Sequence, residues 1–189
     1  MEHIGIITCG LAFGTPIAIF GALIHMLNHA MVKTLMFFTA GNLALKYHSK
    51  DIEHIKGAIQ VMPISGLVLL LGGLALSGLP PFSTFVSEFY ILRGGIQGHY
   101  YLASICFVLL LIIAFGGLLN HFLNMTIGPV QASPTGNVIQ ISKGELSRSG
   151  LIAIIVPLLI VLLFGLWIPS TLKELINEAV KIVSLGGAI

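Results

Sequence analysis

The sequence predicts an all-α, polytopic membrane protein with about five to six transmembrane helices, one of them broken. Of the 189 residues, 56% are hydrophobic and only 8% are charged, whereas soluble domains carry about 25% charged residues. Apolar stretches alternate with short polar loops, and several approach the roughly 20 residues that a spanning helix needs. The net charge of +2 is too small to indicate a nucleic-acid partner.

Six apolar segments are expected in chain order. They are 3–14, 15–45, 62–79, 83–97, 100–124 and 149–168. The first is short for a span, and the second exceeds the bilayer thickness, so it must tilt or extend into the aqueous phase. Pro157 predicts a kink in the sixth. Polar loops are expected at 46–61 and 125–148, which gives a membrane domain over 1–169.

Residues 170–189 are expected to form a separate tail. In STLKELINEAVKIVSL, charges alternate with Leu, Ile and Val at helical spacing, which is typical of an amphipathic helix lying in the membrane interface. Lys and Arg are more frequent on the face that holds the 46–61 loop, so the positive-inside rule places that loop in the cytoplasm.

His25, His29 and Lys33 recur every four residues within the second segment. Residues at this spacing share one helix face over about 12 Å, as a proton relay requires. Lysine suits a relay because its charge state depends strongly on its surroundings. Three alternatives stay open: histidines that hydrogen-bond across a helix interface, a zinc site on His25 and His29 that lacks an evident third ligand, and a lysine that snorkels to the surface.

Glu88 follows a predicted helix break. Pro80 and Pro81 are incompatible with a helix interior, so we expect an unwound segment between Ser77 and Phe85. Unpaired backbone at membrane depth must be buried in protein or face water. A helix that restarts near residue 83 places Glu88 in its early turns, where the helix dipole favours an anion. The alternative is a loop carboxylate at the membrane surface.

Weaker signals lie further along the chain. His121, between Asn120 and Asn124, is a candidate exit of the relay or a simple helix end. Glu145 and Arg148 are expected on the solvated surface. Cys9 and Cys106 lie in apolar runs without metal-ligand spacing, so we expect them to be inert packing residues.

Two stretches resemble a known family. HMLNHAMVKTLMFFTAGN is similar to the lysine helix, and LPPFSTFVSEFYIL to the broken helix, of antiporter-like membrane subunits. These subunits occur in respiratory complex I, in multi-subunit sodium/proton antiporters and in group 4 membrane-bound hydrogenases. FFTAGN and KYHSKDI are most similar to the hydrogenase-4 component F type.

The resemblance implies a fold and roles for single residues. The chain would correspond to the second of two inverted repeats plus a final helix, with the first repeat absent. Lys33 would be the central lysine, Glu88 the exit-side carboxylate, and His25 and His29 the connecting groups.

The implied function is proton translocation within a redox-driven complex of the inner cell membrane. Alternatives are a sodium/proton antiporter subunit and a non-conducting scaffold. Expected partners are other membrane subunits, among them a chain that supplies or replaces the missing N-terminal half. We expect no cofactor and no resident metal, because no cysteine cluster suits an iron–sulfur site and no glycine motif suits a nucleotide. Catalysis would then belong to the partner subunits.

Overall fold

The computed structural model describes residues 2–129 and 142–186, and every regular element in this part of the chain is a helix. The eight helices are α1 (Glu2–Ala12), α2 (Pro16–Tyr47), α3 (Ala58–Val61), α4 (Pro63–Leu76), α5 (Ser83–Gln97), α6 (Tyr101–Ile127), α7 (Arg148–Leu166) and α8 (Ser170–Gly186). The predicted all-α fold is therefore confirmed.

In the described part of the chain, three helices, α2, α6 and α7, are long and apolar enough to cross a membrane, whereas α1 and α4 are shorter apolar helices. Pro157 lies inside α7, which continues through it. Part of the polar loop predicted at 125–148 lies outside the described residues. The short helix α3, within the loop expected at 46–61, was not predicted.

The ends of α2 follow from local sequence. The Thr15 side chain accepts a hydrogen bond from the Ala18 backbone nitrogen at 3.3 Å, and Pro16 occupies the first helical position, where its missing N–H costs nothing. The helix ends at Tyr47, and the next residue, His48, has a left-handed φ of 52°. Its 32 residues correspond to about 48 Å at 1.5 Å per residue, so α2 is longer than the apolar core of a bilayer.

The helix break lies where the proline pair predicted it. Helix α4 ends at Leu76 and α5 begins at Ser83, and the chain between them turns through Gly78 with a φ of +70°. The hydroxyl of Thr84 donates to the backbone carbonyl of Ala75. This bond joins the start of α5 to the end of α4, so the two helices on either side of the break are held together.

Helix α2 packs against α1, α4, α5, α7 and α8 and so forms the centre of the fold. Its closest neighbour is α5. A methyl group added at Gly94 would lie 2.5 Å from the backbone nitrogen of Ala18, and one added at Gly21 would lie 2.8 Å from that of Ile91. Glycine at both positions therefore lets the two backbones approach closely, which brings polar side chains of α2 and α5 into contact.

Helix α8 packs along the N-terminal half of α2. Its buried residues Ile176 and Val180 join Ile19, Phe20 and Ile24 in one apolar cluster, while its charged side chains are exposed. One side of α8 is therefore apolar and buried and the other is charged and exposed, which accounts for the alternating pattern of the tail. The interfacial position of the tail, and the domain division at residue 169, stay predictions.

The expectation that Glu145 is a solvated surface charge was wrong. One carboxylate oxygen of Glu145 accepts from the backbone nitrogens of Ile64 and Ser65 at 2.8 and 3.1 Å, and the other accepts from the Ser65 hydroxyl at 2.5 Å. The first N–H groups of a helix have no intrahelical partner, and the helix dipole favours an anion there. Glu145 thus caps α4 from a distant part of the chain. Arg148 is exposed.

Candidate proton-transfer site

Four buried polar residues from three helices meet near the helix break. They are His3 on α1, His25 on α2, and Ser87 and Glu88 on α5, each with at most 7% of its surface exposed. The close packing of α2 on α5 brings these groups together. Buried polar groups are costly unless they are hydrogen-bonded, so their mutual contacts decide what the site can do.

A hydrogen-bonded chain connects the three helices. Nδ1 of His3 lies 3.0 Å from Nε2 of His25, and Nδ1 of His25 lies 2.8 Å from the Ser87 hydroxyl. The amide of Asn28 donates to the Ser83 carbonyl at 2.7 Å and to the Ser87 hydroxyl at 3.2 Å. The hydroxyl of Ser87 donates in turn to the Thr84 carbonyl at 2.7 Å.

These contacts assign the proton positions on both neutral histidines. Because the single proton of the Ser87 hydroxyl is donated to a carbonyl, its oxygen accepts from His25, which therefore carries its proton on Nδ1. Nε2 of His25 then has a free lone pair, and Nδ1 of His3 donates to it. Nε2 of His3 lies at the opposite end of the chain from Ser87 and has no hydrogen-bond partner among the described residues.

Four buried polar atoms around this chain have no hydrogen-bond partner among the described residues. They are Nε2 of His3, Oδ1 of Asn28, Nδ1 of His29 and the hydroxyl of Ser83. Buried polar atoms in folded proteins are nearly always paired with protein or with ordered water. The region around the two histidines therefore has unused hydrogen-bonding capacity.

Glu88 lies beside this chain and next to the helix break. One carboxylate oxygen of Glu88, one nitrogen of His3 and one of His25 all lie within 4.8 Å of one another. A side chain at Gly78 would collide with the Glu88 carboxylate. Glu88 also lines a cavity of about 300 Å³ between the break, α5 and α6, whose other lining residues are mostly apolar.

The other predicted residues lie at different distances from this cluster. His29 is half-buried, and its ring centroid lies 4.9 Å from that of His3. Lys33 is also half-buried one turn further along α2, and neither Lys33 nor Glu88 forms an ion pair within 4.0 Å among the described residues. His121 is exposed on α6, and none of the contacts described above joins it to the cluster.

Two residues of the site were missed by sequence reasoning. His3 lies in the first apolar segment, 3–14, which is short for a span. Its ring nevertheless contacts the rings of both His25 and His29. Ser87 precedes Glu88 and is spaced four residues from Ser83, a pattern that places two hydroxyls on one helix face. Polar residues in an otherwise apolar helix were the signal for both.

The residues that the structure groups together differ from the zinc site on His25 and His29 that the sequence left open. His25 and His29 lacked a third ligand in the sequence. The structure instead groups His25 with His3 and Glu88.

Fold and site together define a multi-pass membrane protein with a buried cluster of polar side chains at a broken helix. A family model described as NADH:quinone oxidoreductase/Mrp antiporter, transmembrane, matches residues 1–114. The chain belongs to this family, which confirms the resemblance stated above.

Curated relatives carry two kinds of name. A hydrogenase-4 component F homolog from Methylacidiphilum infernorum is 30% identical over 174 residues, covering 92% of this chain and 34% of that protein. A subunit of the Na(+)/H(+) antiporter from Bacillus subtilis is 28% identical over 163 residues, covering 86% and 32%. The chain thus spans about a third of the length of the curated relatives it matches.

A solved structure shares the fold. A chain of the Mrp complex from Dietzia sp. DQ12-45-1b superposes with a TM-score of 0.82 at 17% identity, covering 96% of this chain and 41% of that chain. Both kinds of relative are named as components or subunits of larger assemblies, and the family match places this chain among antiporter-like membrane proteins.

Proposed function

We propose that this chain is a proton-translocating subunit of a redox-driven complex in the inner cell membrane, such as a membrane-bound hydrogenase or a complex I-like oxidoreductase. The observation that carries the proposal is the buried His3–His25–Ser87 hydrogen-bonded chain beside Glu88. A chain keeps ionisable groups at membrane depth, despite their cost, mainly where they mark an ion path.

The proposed route uses the proton positions assigned above. A proton from Lys33, passed through His29, arrives at Nε2 of His3, and His3 releases its Nδ1 proton towards Nε2 of His25. Atoms of both histidines lie within 4.8 Å of the Glu88 carboxylate, a gap that one water molecule spans with two hydrogen bonds of about 2.8 Å each. His25 passes its Nε2 proton through that water to Glu88, and Glu88 releases the proton to water in the cavity at the helix break.

Ser87 has a positioning role in this scheme. It accepts the Nδ1 proton of His25 in a hydrogen bond, which holds the ring with its Nε2 lone pair towards His3. His3 therefore faces the nitrogen of His25 that gains and loses a proton.

The chemistry of the donors favours the proton as the coupling ion. Sodium ions are hard cations that prefer oxygen ligands, as Ca²⁺ and Mg²⁺ do, whereas imidazole nitrogens bind protons and transition metals. Two of the three converging groups are histidines. The buried cluster is thus better suited to moving protons than to binding sodium.

A second candidate is a subunit of a multi-subunit sodium/proton antiporter with no redox enzyme attached. The antiporter names among the relatives favour it. The two candidates differ in their partners, so the proteins that co-purify with a tagged chain distinguish them. Redox subunits with iron–sulfur or nickel centres support the first candidate, and membrane subunits alone support the second.

Other membrane segments are expected to cover part of the surface of α1 and α2. Ile4, Met26 and Leu27 are exposed large apolar side chains close in sequence to His3 and His25. Buried polar groups near a lipid-facing surface are costly unless protein encloses them. We therefore propose that residues 1–30 contact another membrane subunit or a further part of the same assembly.

The test replaces Lys33 by methionine in the intact assembly. Proton uptake by inverted membrane vesicles is followed with a pH-sensitive dye, normalised to the amount of assembled protein. We expect Lys33→Met to abolish uptake and Lys46→Met, at the end of the same helix, to leave it unchanged. Full uptake by an assembled Lys33→Met variant would exclude Lys33 from the path.

A further inference from the structure

We propose that His3, His25 and Glu88 form a binding site for a divalent transition-metal ion such as Zn²⁺. We further infer that the bound ion inhibits proton transfer, a consequence that rests on the function proposed above. The metal site itself rests on the geometry of the three side chains.

The spacing of the donor atoms fits a small tetrahedral ion. Zn²⁺ binds imidazole nitrogen and carboxylate oxygen at about 2.0–2.2 Å, so two ligands on a tetrahedral ion are about 3.3 Å apart. The facing nitrogens of His3 and His25 are 3.0 Å apart, and one donor atom from each of the three residues lies within 4.8 Å of the others. Side-chain rotations that shorten the longest separation by about 1.5 Å would complete the three-ligand set.

The surroundings of His25 resemble those of a metal-ligating histidine. Such histidines donate their second ring N–H to a fixed acceptor, which sets the tautomer and the ring orientation. Nδ1 of His25 donates to Ser87 at 2.8 Å, and Ser87 is itself held by the Thr84 carbonyl. Nε2 of His25 is thus already presented as a ligand.

His3 can supply Nδ1, which faces His25, as the second nitrogen ligand. Its side chain is 5% exposed, and its Nε2 has no partner among the described residues. When a metal replaces the proton on Nδ1, that proton moves to Nε2, so the ring stays neutral.

The donor set selects among cations. Two imidazoles and one carboxylate suit Zn²⁺, Cu²⁺ or Ni²⁺, whereas Mg²⁺ and Ca²⁺ prefer oxygen ligands. Three protein ligands leave a fourth position for water, as in open zinc sites. The cavity of about 300 Å³ that Glu88 lines gives an ion a route to the carboxylate.

Binding is measured directly on the affinity-purified assembly. The protein is equilibrated with buffered free Zn²⁺, and bound zinc is determined by mass spectrometry for wild type, His3→Gln and Glu88→Gln. We expect one zinc per chain in wild type and at least a tenfold weaker affinity in each variant. His121→Gln, which changes an exposed histidine on α6, should bind as wild type does. Equal binding by wild type and His3→Gln would overturn the site.

Proton uptake in vesicles then separates the two claims. Zn²⁺ at the concentration that fills the site should stop uptake in wild type, and a chelator should restore it. If zinc binds through His3 and Glu88 but uptake continues, the metal site stands and the relay proposal fails. If no zinc binds while Lys33→Met abolishes uptake, the metal site fails and the relay stands.

Discussion

Replacing Ser87 by alanine tests whether this hydroxyl orients His25 for proton transfer. Ser87 and Ser83 lie one turn apart on α5, and both are buried. The hydroxyl of Ser87 contacts His25, Asn28 and two backbone carbonyls, whereas that of Ser83 has no partner among the described residues. Ser87→Ala and Ser83→Ala each remove one buried hydroxyl oxygen. Only Ser87→Ala also removes hydrogen bonds, so Ser83→Ala serves as the matched control.

The magnitudes follow from the contacts that each variant loses. Ser87→Ala leaves the Nδ1–H of His25 without an acceptor, which costs about 1–3 kcal/mol for a buried donor. Asn28 loses one of its two acceptors and keeps the Ser83 carbonyl, so it adds less. Loss of a net hydrogen bond worth about 1 kcal/mol also lowers the population of the present His25 orientation about fivefold. Ser83→Ala should change stability by at most about 0.5 kcal/mol, because no bond is lost.

Two measurements are needed on each variant. In the first, the detergent-solubilised assembly is heated, and the fraction that stays monodisperse is followed by fluorescence-detected size exclusion, which gives a midpoint temperature. In the second, proton uptake is measured in vesicles at equal protein. Ser87→Ala should lower the midpoint by roughly 4–8 °C, as about 2 kcal/mol would in a domain of about 150–250 residues, and reduce uptake at least fivefold. If the two variants behave alike in both assays, Ser87 does not position His25 and the reasoning is refuted.

Two further substitutions test the helix break between α4 and α5 and the cap that Glu145 forms at the start of α4. Gly78→Ala should place a methyl group against the Glu88 carboxylate at a left-handed backbone position, and we expect reduced proton uptake that Gly41→Ala, in open space on α2, does not cause. Glu145→Ala removes the cap of α4 and should destabilise the assembly by about 0.5–2 kcal/mol, measured by thermal dispersity. Uptake per assembled complex should stay at the wild-type value; a loss would show that Glu145 does more than cap α4.

The fold was largely predictable because its signals are local. Apolar runs set the helices, and the adjacent prolines at 80 and 81 set the break, since their backbone geometry cannot continue a helix. The boundaries of α2 were predicted within two residues because Pro16 and the polar stretch after Tyr47 mark them.

The site was predictable only in part because its contacts are distant in sequence. His25 and Glu88 stood out as ionisable residues in apolar surroundings. The approach of His3 to His25 depends on how α1 packs against α2, and the cap of α4 by Glu145 joins residues 80 positions apart. Neither arrangement has a local pattern that a single sequence would reveal.

The proposal that the buried cluster at the helix break carries protons is tested most directly by Glu88→Gln in the intact assembly. Glutamine keeps the size and polarity of the side chain but cannot take up and release a proton. Redox-driven proton uptake is measured in inverted vesicles at equal protein, with Glu174→Gln, an exposed residue of α8, as the control. The proposal predicts no uptake with Glu88→Gln and full uptake with the control. Full uptake by an assembled Glu88→Gln variant would contradict it.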